Sequence, residues 1–439
     1  MTTLERKASG YFGIEEKGSS MRTEAVAGTT TFLAMAYIVF VNPDILGQAG
    51  MDEGAVFVAT ALAAAIGTLV MGLWANLPIA QAPGMGLNAF FAFTVVLGMG
   101  VAWQTALAAT FVSGLVFLAL AVTGIRRVII EAIPLQMKYA VGAGIGLFIA
   151  FIGLKNAGVV VADEANLVGL GDLGQGPTLL SILGVVVISA LLLRGVKGAV
   201  FYGMLITAAV GVATGLSDLP GAVVSAPPSL APTFGEGLAA LPDLLSVEML
   251  VVIFTMLFVD FFDTAGTIIA VTSQAGLVDE DGRLPGGDRA LVSDGVATVA
   301  GGVLGTSTTT SYIESSAGVG AGGKTGMTSV VTAGLFLLAL FFSPLLAVVT
   351  ANVTAPALIV VGVMMAKGLG SVDWGDYAYA IPAFVVVVTM PLTFSVATGI
   401  ALGLILFPLF KVFQGKASEV HPMLYALMVV FAAYFVWLA

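Results

Sequence analysis

The chain of 439 residues is 59% hydrophobic and only 10% charged, whereas a soluble domain carries about 25% charged residues. Its net charge of −10, without a basic stripe, excludes nucleic-acid binding, and the absence of cysteine excludes disulfides and thiolate metal sites. Apolar stretches of about 17–25 residues recur along the chain, and each is long enough to cross a lipid bilayer as a helix. We therefore predict an all-α polytopic membrane protein.

The first half of the chain contains seven predicted spans. Residues 1–22 are polar and lack the apolar core of a signal peptide, so we predict a cytoplasmic N-terminal segment. The spans that follow are Ala25–Phe40, Ala55–Trp74, Gly86–Leu97, Trp103–Thr123, Leu135–Leu154, Leu179–Leu193 and Ala199–Leu216. A polar linker, residues 217–246, comes next and is predicted to be extracytoplasmic.

The second half contains eight apolar segments, one more than the first. They are Met249–Thr267, Leu291–Leu304, Tyr312–Gly320, Thr328–Val349, Pro356–Leu369, Tyr377–Met390, Val396–Phe413 and Leu424–Leu438. The last segment is either an additional span or an interfacial helix, and Pro391 could join its neighbours into one broken element. Because seven is odd, a second set of seven spans has the opposite orientation, which predicts an inverted repeat of residues 23–216 and 247–439.

The charges of the loops predict the orientation of the chain. If the N-terminus is cytoplasmic, the even-numbered loops are internal, and these loops hold Arg126, Arg127, Arg194, Lys197, Arg283, Arg289, Lys324, Lys367, Lys411 and Lys416. On the opposite side Lys155 is the exception, and the long linker has no Lys or Arg. This positive-inside pattern predicts a cytoplasmic N-terminus.

Two segments are too short and irregular to be ordinary spans. They contain the stretches Gln81–Phe90 and Gly305–Ser316, which begin with turn-forming or β-prone residues and become compatible with a helix near Asn88 and Glu314. They are the third segments of the two halves. Matched broken helices in inverted halves indicate the central site of a transporter, although small residues can also serve close helix packing alone.

Three carboxylates lie within predicted spans near this site. Asp260 and Asp263 are three residues apart, which places them on one face of the eighth span, and Glu314 is the opposing acid. Because a charge in the bilayer is costly, we predict that all three bind ligand or protons, unless hydroxyls and helix ends merely satisfy them. Asp294 on the ninth span is predicted to be structural or interfacial.

These residue types suit a flat heterocycle rich in N–H and C=O groups. Carboxylates accept hydrogen bonds from ring N–H groups, and Asn88 offers both a donor and an acceptor. Phe262 or Phe90 could stack on the ring, although phenylalanines at helical spacing also serve simple packing. Thr267 and Ser315 complete the predicted substrate-binding set, whereas proton coupling is assigned to Asp263, Glu314 and Asp260.

One motif suggests a different function, which the context excludes. The stretch Gly318–Thr325 matches the spacing of a phosphate-binding loop, but such a loop needs a soluble α/β domain around it. We predict instead that it ends the broken tenth segment, with Lys324 at the cytoplasmic end.

The single histidine, His421, is predicted to be interfacial, so no nucleophile–base set is evident and an enzyme is not expected.

The motifs together resemble the AzgA-like branch of the nucleobase–ascorbate, or NCS2, transporter superfamily. The resemblance covers essentially the whole chain, and the stretches that carry it are Thr29–Tyr37, Gln81–Phe91, Phe258–Thr267 and Gly305–Ser315. It implies fourteen segments in two inverted sevens, with short antiparallel strands in the third and tenth. It also implies a core domain of residues 23–124 and 247–350 and a gate domain of residues 125–216 and 351–439.

The resemblance further implies a function. Asp263 matches the acid of the eighth span, Glu314 the acid or amide of the tenth, and Asn88 the polar position of the third. Members import adenine, guanine or hypoxanthine with protons and without another cofactor, often as homodimers in the plasma or inner membrane. The alternative is an anion transporter of the sulfate-permease type, against which the acids at the site count.

Overall fold

The computed structural model describes residues 3–123, 133–278, 284 and 287–437. The predicted cytoplasmic charges Arg126, Arg127 and Arg283 lie outside these residues. The described chain is mainly helical, with four short strands.

The elements of the first half follow the predicted order of spans. They are α1 Thr3–Phe12, α2 Met21–Met35, α3 Ile38–Gln48, α4 Glu53–Val70, β1 Gln81–Pro83, α5 Met85–Ala89, α6 Trp103–Thr123, α7 Leu135–Asn156, β2 Val160–Asp163, β3 Leu167–Leu170, α8 Gly176–Leu193 and α9 Ala199–Ala213. The strands β2 and β3 form a hairpin that the sequence did not predict.

The second half repeats this pattern after the linker. Its elements are α10 Glu236–Ala239, α11 Val247–Gln274, α12 Gly287–Leu304, β4 Thr309–Ser311, α13 Ser315–Val319, α14 Gly326–Ala339, α15 Ala351–Met365, α16 Tyr377–Thr393, α17 Val396–Phe413 and α18 Pro422–Trp437. Within the described residues, nine helical stretches are long and apolar enough to cross a membrane. Shorter apolar helices, together with α12 and α13, complete the predicted segments, and α18 is the fifteenth.

Pro391 does not join its two neighbouring segments. It lies inside α16, which ends two residues later, and Phe394 then adopts a left-handed backbone conformation with φ of 52°. The hydroxyl of Ser395 caps the start of α17 by accepting from the Thr398 amide. The thirteenth and fourteenth segments are therefore separate helices with a two-residue connection.

The first span is longer than predicted. Helices α2 and α3 together form a stretch of 28 residues that continues to Gln48, so the predicted end at Phe40 is too early. The helix continues through Pro43, and the neighbouring side chain of Asn42 is buried inside the protein. Its Nδ2 donates to Thr60 Oγ1 at 2.7 Å and to Thr306 Oγ1 at 2.8 Å.

Strands β1 and β4 cross at the centre of the protein. They pair antiparallel, with Gln81 opposite Ser311 and Pro83 opposite Thr309, and all six of their residues are buried. Each strand leads into a short helix, α5 or α13. Non-helical backbone at membrane depth needs internal hydrogen-bond partners, and the two halves of the chain supply them to each other. The predicted broken helices with short strands are thus confirmed.

Candidate functional site

Asn88 lies in α5, directly behind strand β1. Its side chain is 0% exposed, and its Oδ1 accepts a short hydrogen bond from the hydroxyl of Ser307. Its Nδ2 lies 3.5 Å from the Pro83 carbonyl. Phe90 follows two residues later and is buried in the main hydrophobic core. The amide of Asn88 is therefore fixed by the loop that precedes strand β4.

Glu314 lies at the start of α13, directly behind strand β4. Its Oε1 accepts a hydrogen bond of 2.8 Å from the hydroxyl of Tyr37, which is buried in the first span. The hydroxyl of the next residue, Ser315, accepts from the Ala80 amide at 3.0 Å. The hydroxyl of Tyr312 donates to the Pro83 carbonyl at 2.5 Å. These bonds fasten the beginnings of α5 and α13 to each other and to the first span.

Helix α11 brings Asp263 to the same place. The carboxylate of Asp263 interacts electrostatically with that of Glu314, and its side chain is exposed. The exposed face continues along α11 through Gly266 and Ala270 toward the C-terminal end of the helix. Thr267, one turn beyond Asp263, is buried. The structure therefore places an accessible pair of acids beside the crossed strands.

Phe262 lies at the edge of this site. Its ring is half-buried, and the ammonium nitrogen of Lys138 on α7 lies 5.0 Å from its centroid. A cation over an aromatic face is attracted by the ring quadrupole. Phe262 is thus held at the boundary between α11 and α7, while the ring of Phe90 packs in the core.

Asp260 does not join the accessible acids. Although it precedes Asp263 by one turn, its side chain is only 1% exposed and its carboxyl group contacts that of Asp294 on α12. Asp294 is completely buried, which favours the structural alternative of the two that the sequence left open. Its Oδ1 accepts from Gln81 Nε2 and from Ser311 Oγ, each at 2.9 Å.

Several residues of the site escaped the sequence reasoning. Tyr37 lies at the end of the Thr29–Tyr37 motif, and Lys138 is a single cation near the start of a predicted span. Each of these two positions in the sequence could have indicated a residue of the site. In the sequence, Ser307 and Tyr312 are visible only as members of the irregular tenth segment. Their roles depend on contacts across the two halves, which the sequence does not display.

The rejected phosphate-loop motif is explained by its surroundings. Residues 320–325 connect helices α13 and α14, and the start of α14 is occupied by a carboxylate of the protein itself. Glu24, which is fully buried, accepts from the amides of Lys324 and Thr325 at 3.0 and 3.3 Å and from Thr328 Oγ1 at 2.6 Å. The helix N-terminus thus has its anion within the chain.

The chain consists of two inverted sets of seven segments. The third and tenth segments contribute the crossed strands, which lie beside the accessible acids. This arrangement defines a membrane transporter with core and gate domains. The transmembrane domain of the cyanobacterial bicarbonate transporter BicA shares this fold, with a TM-score of 0.63 and 13% identity over 87% of this chain and 97% of that one. At this identity the likeness shows the fold alone.

The sequence comparisons define the family. The profile described as the Permease family matches residues 22–402. Guanine/hypoxanthine permease PbuG of Bacillus subtilis is 55% identical over 437 residues, covering 98% of this chain and 99% of the relative. Adenine permease AdeQ of Escherichia coli is 46% identical over 413 residues, covering 94% and 92%. The chain belongs to the Permease family, and the resemblance to the AzgA-like branch of the NCS2 superfamily is confirmed.

Proposed function

We propose that the protein imports purine nucleobases, namely guanine, hypoxanthine or adenine, together with protons by alternating access. The observation that carries the proposal is the accessible pair of acids, Asp263 and Glu314, beside the crossed strands of a chain whose relatives are named as purine permeases. No cofactor other than the coupled proton is needed in this scheme.

The side chains suit a purine base. The carboxylates of Asp263 and Glu314 accept hydrogen bonds from ring or exocyclic N–H groups, while the buried amide of Asn88, held by Ser307, supports the site from behind. The half-buried ring of Phe262 offers a stacking surface. Because Tyr37 donates to one oxygen of Glu314, the carboxyl group is restrained in its orientation, which suits a side chain that must meet a ligand in one way. Binding of the base then depends on few, well-oriented groups.

Alternating access requires that two parts of the chain move relative to each other. We assign residues 23–124 and 247–350 to a core that carries the site and residues 125–216 and 351–439 to a gate. Among the described residues, the side-chain hydrogen bonds between these parts include one from Thr354 Oγ1 to Asp44 Oδ2 at 2.7 Å and one from Thr94 Oγ1 to the Phe394 carbonyl at 2.9 Å. With a cytoplasmic N-terminus, both bonds lie on the outer side.

The exposed face of α11 runs from Asp263 away from these two hydrogen bonds. It leads to the C-terminal end of the helix, which the charge pattern places in the cytoplasm. This arrangement corresponds to a state open to the inside.

We place the protein in the plasma or inner membrane with a cytoplasmic N-terminus, and the family resemblance supports a homodimer.

The second candidate is an anion transporter, because the fold is shared with a bicarbonate transporter. The chemistry of the site opposes it. Two carboxylates that accept hydrogen bonds beside the crossed strands would repel an anion, whereas they complement the N–H groups of a base.

The test is uptake of radiolabelled hypoxanthine, guanine, adenine, xanthine and uracil into proteoliposomes, with and without an inward proton gradient. We expect saturable purine uptake that a protonophore abolishes. Glu314→Gln and Asp263→Asn should lose uptake, whereas Glu164→Gln and Asp218→Asn, matched changes at exposed carboxylates, should retain it. Folded protein that transports bicarbonate or sulfate but no base would overturn the proposal.

A further inference from the structure

A second pair of carboxyl groups lies behind the accessible acids. Asp260 on α11 and Asp294 on α12 are 1% and 0% exposed, and their carboxyl groups contact each other within hydrogen-bonding reach. Neither carboxylate can donate a hydrogen bond when both are ionised. Two contacting anions in a dry interior are strongly unfavourable, so the pair needs a proton between them.

The hydrogen-bond donors around the pair are unevenly distributed. Asp294 Oδ1 accepts from Gln81 and Ser311, whereas the donor nearest to Asp260 is Thr298 Oγ1, 3.3 Å from Asp260 Oδ2. The hydroxyl of Thr298 has a single hydrogen, and it lies only 2.9 Å from the Thr309 carbonyl, the better acceptor. Asp260 therefore shares this donor with the Thr309 carbonyl, which lies closer to it.

One oxygen of each acid also remains without a partner. Among the described residues, Asp260 Oδ1 and Asp294 Oδ2 are buried and meet no donor in hydrogen-bonding geometry. The described neighbours of the pair also supply no positive charge: Asp263 adds a negative one from the next turn of α11, and Thr264 offers Asp294 a neutral hydroxyl. A proton carried by Asp260 and donated to Asp294 would satisfy both acids, and Asp294 would keep the negative charge that Gln81 and Ser311 stabilise.

We propose that Asp260 and Asp294 form a proton-binding site of their own, in which a carboxylic acid and a carboxylate share one proton behind the substrate acids. The residues that hold Asp294 are themselves opposite partners in the crossed strands, Gln81 on β1 and Ser311 on β4. Loss of the shared proton leaves two anions in contact and pushes α11 and α12 apart at the strands. The pair thereby couples its proton to the geometry of the substrate site.

Among the described residues, the pair is not part of a cluster of three or more acidic, histidine or cysteine side chains that could hold a metal ion. A shared proton needs only the two carboxyl groups in contact. The proposed occupancy rests on this contact and on the burial of both acids, whereas the role in coupling rests on the proposed function.

The occupancy is tested by infrared spectroscopy of the purified full chain without purine. A protonated carboxyl group gives a C=O stretching band that shifts in heavy water. We expect a component of this band at neutral pH that disappears in Asp260→Asn and in Asp294→Asn, and that persists in Asp263→Asn and in the surface control Asp218→Asn. An unchanged band in both Asp260→Asn and Asp294→Asn overturns the site.

The coupling is tested by transport. In Asp260→Asn the amide donates permanently to Asp294, as the proton does, so the variant is expected to exchange hypoxanthine across the membrane but to lose accumulation driven by a proton gradient. Accumulation equal to that of the wild type, or accumulation that follows a sodium gradient, overturns the coupling role. If Asp260→Asn does not fold, as judged by its thermal unfolding, the same transport test is made with Asp294→Asn. In that variant the amide replaces the other carboxyl group of the pair.

Failure of the two proposals can be told apart. If the wild-type protein transports no base, the proposed function fails, but the infrared band still reports whether the pair holds a proton. If the wild type accumulates purine and both amide variants do so equally well, the proton-binding pair fails and the proposed function stands.

Discussion

The hydroxyl of Tyr37 donates to Glu314 Oε1 across 2.8 Å, although the two residues are 277 positions apart in the chain. This bond connects the first span to the beginning of α13 and orients the acid that we assign to substrate binding. Because the side chain of Tyr37 is buried, a water molecule cannot easily take the place of its hydroxyl in this hydrogen bond.

Tyr37→Phe should weaken purine binding while leaving the fold intact. A hydrogen bond to a charged group is worth about 1.5–3 kcal/mol, which corresponds to about a tenfold to hundredfold increase in KM. The KM is obtained from initial uptake rates over a range of hypoxanthine concentrations. The control is Tyr377→Phe, because Tyr377 is 74% exposed at the start of α16. Equal KM values in the two variants would contradict the role of Tyr37.

Asn42→Ala should destabilise the protein. The buried amide of Asn42 donates to Thr60 and Thr306, and its loss removes two donors from the base of the loop that leads to β4. Removing one partner of a buried hydrogen bond costs about 1–3 kcal/mol. Thermal unfolding of the purified protein measures the change. Asn166→Ala, in the exposed turn between β2 and β3, is the matched control, and an equal shift in both would refute the prediction.

Gly326→Ala should be more damaging than Gly334→Ala in the same helix. A methyl group on Gly326, the first residue of α14, would overlap the Gly72 carbonyl, while one on Gly334 would meet nothing within 4 Å. Overpacking costs about 1–3 kcal/mol, whereas replacing an exposed helical glycine by alanine gains up to about 1 kcal/mol. The yield of monodisperse protein and its unfolding temperature should fall only for Gly326→Ala. Similar values for both variants would show that the backbone at Gly72 can move away from α14.

Thr354→Val should favour opening toward the outside. It removes the hydroxyl that donates to Asp44 Oδ2 and so weakens one link between the proposed core and gate. Ala397 lines a cleft of about 210 Å³ near Phe394, and because the chain contains no cysteine, Ala397→Cys introduces a single thiol there. Its labelling from outside by an impermeant maleimide should become faster in Thr354→Val.

The control for this experiment is Thr389→Val, whose hydroxyl bonds only within its own helix, to the Val385 carbonyl. It should leave the labelling rate unchanged. An equal rate in Thr354→Val and the parent would mean that the bond to Asp44 does not restrain the gate.

Much of the fold was predictable because a bilayer allows few solutions. The order of spans and the inverted halves followed from apolar length and odd span number, whereas the strands at Gln81–Pro83 and Thr309–Ser311 were implied by the family resemblance. The end of the first span was missed because Asn42 and Pro43 look like a helix terminus. The partners of Asn42 in other segments, Thr60 and Thr306, show that this polar side chain lies inside the protein and not at a helix end.

The site was predictable in residue type but not in grouping. The spacing of Asp260 and Asp263 suggested one shared face, yet a small rotation about the helix axis decides which carboxylate is accessible and which is buried. Sequence spacing gives angular separation along one helix; it does not give the direction in which a neighbouring helix lies. The contact of Asp260 with Asp294 depends on that direction.

The crossed strands also constrain how the protein is made. Strand β1 belongs to the first half of the chain, and its partner β4 emerges only after residue 311 has been synthesised. Until then the third segment has no partner for its extended backbone, so it cannot settle in the bilayer as the ordinary spans around it do. Membrane insertion of the first seven segments therefore remains incomplete until the tenth arrives, and a chain truncated before β4 is expected to be recognised by quality-control proteases.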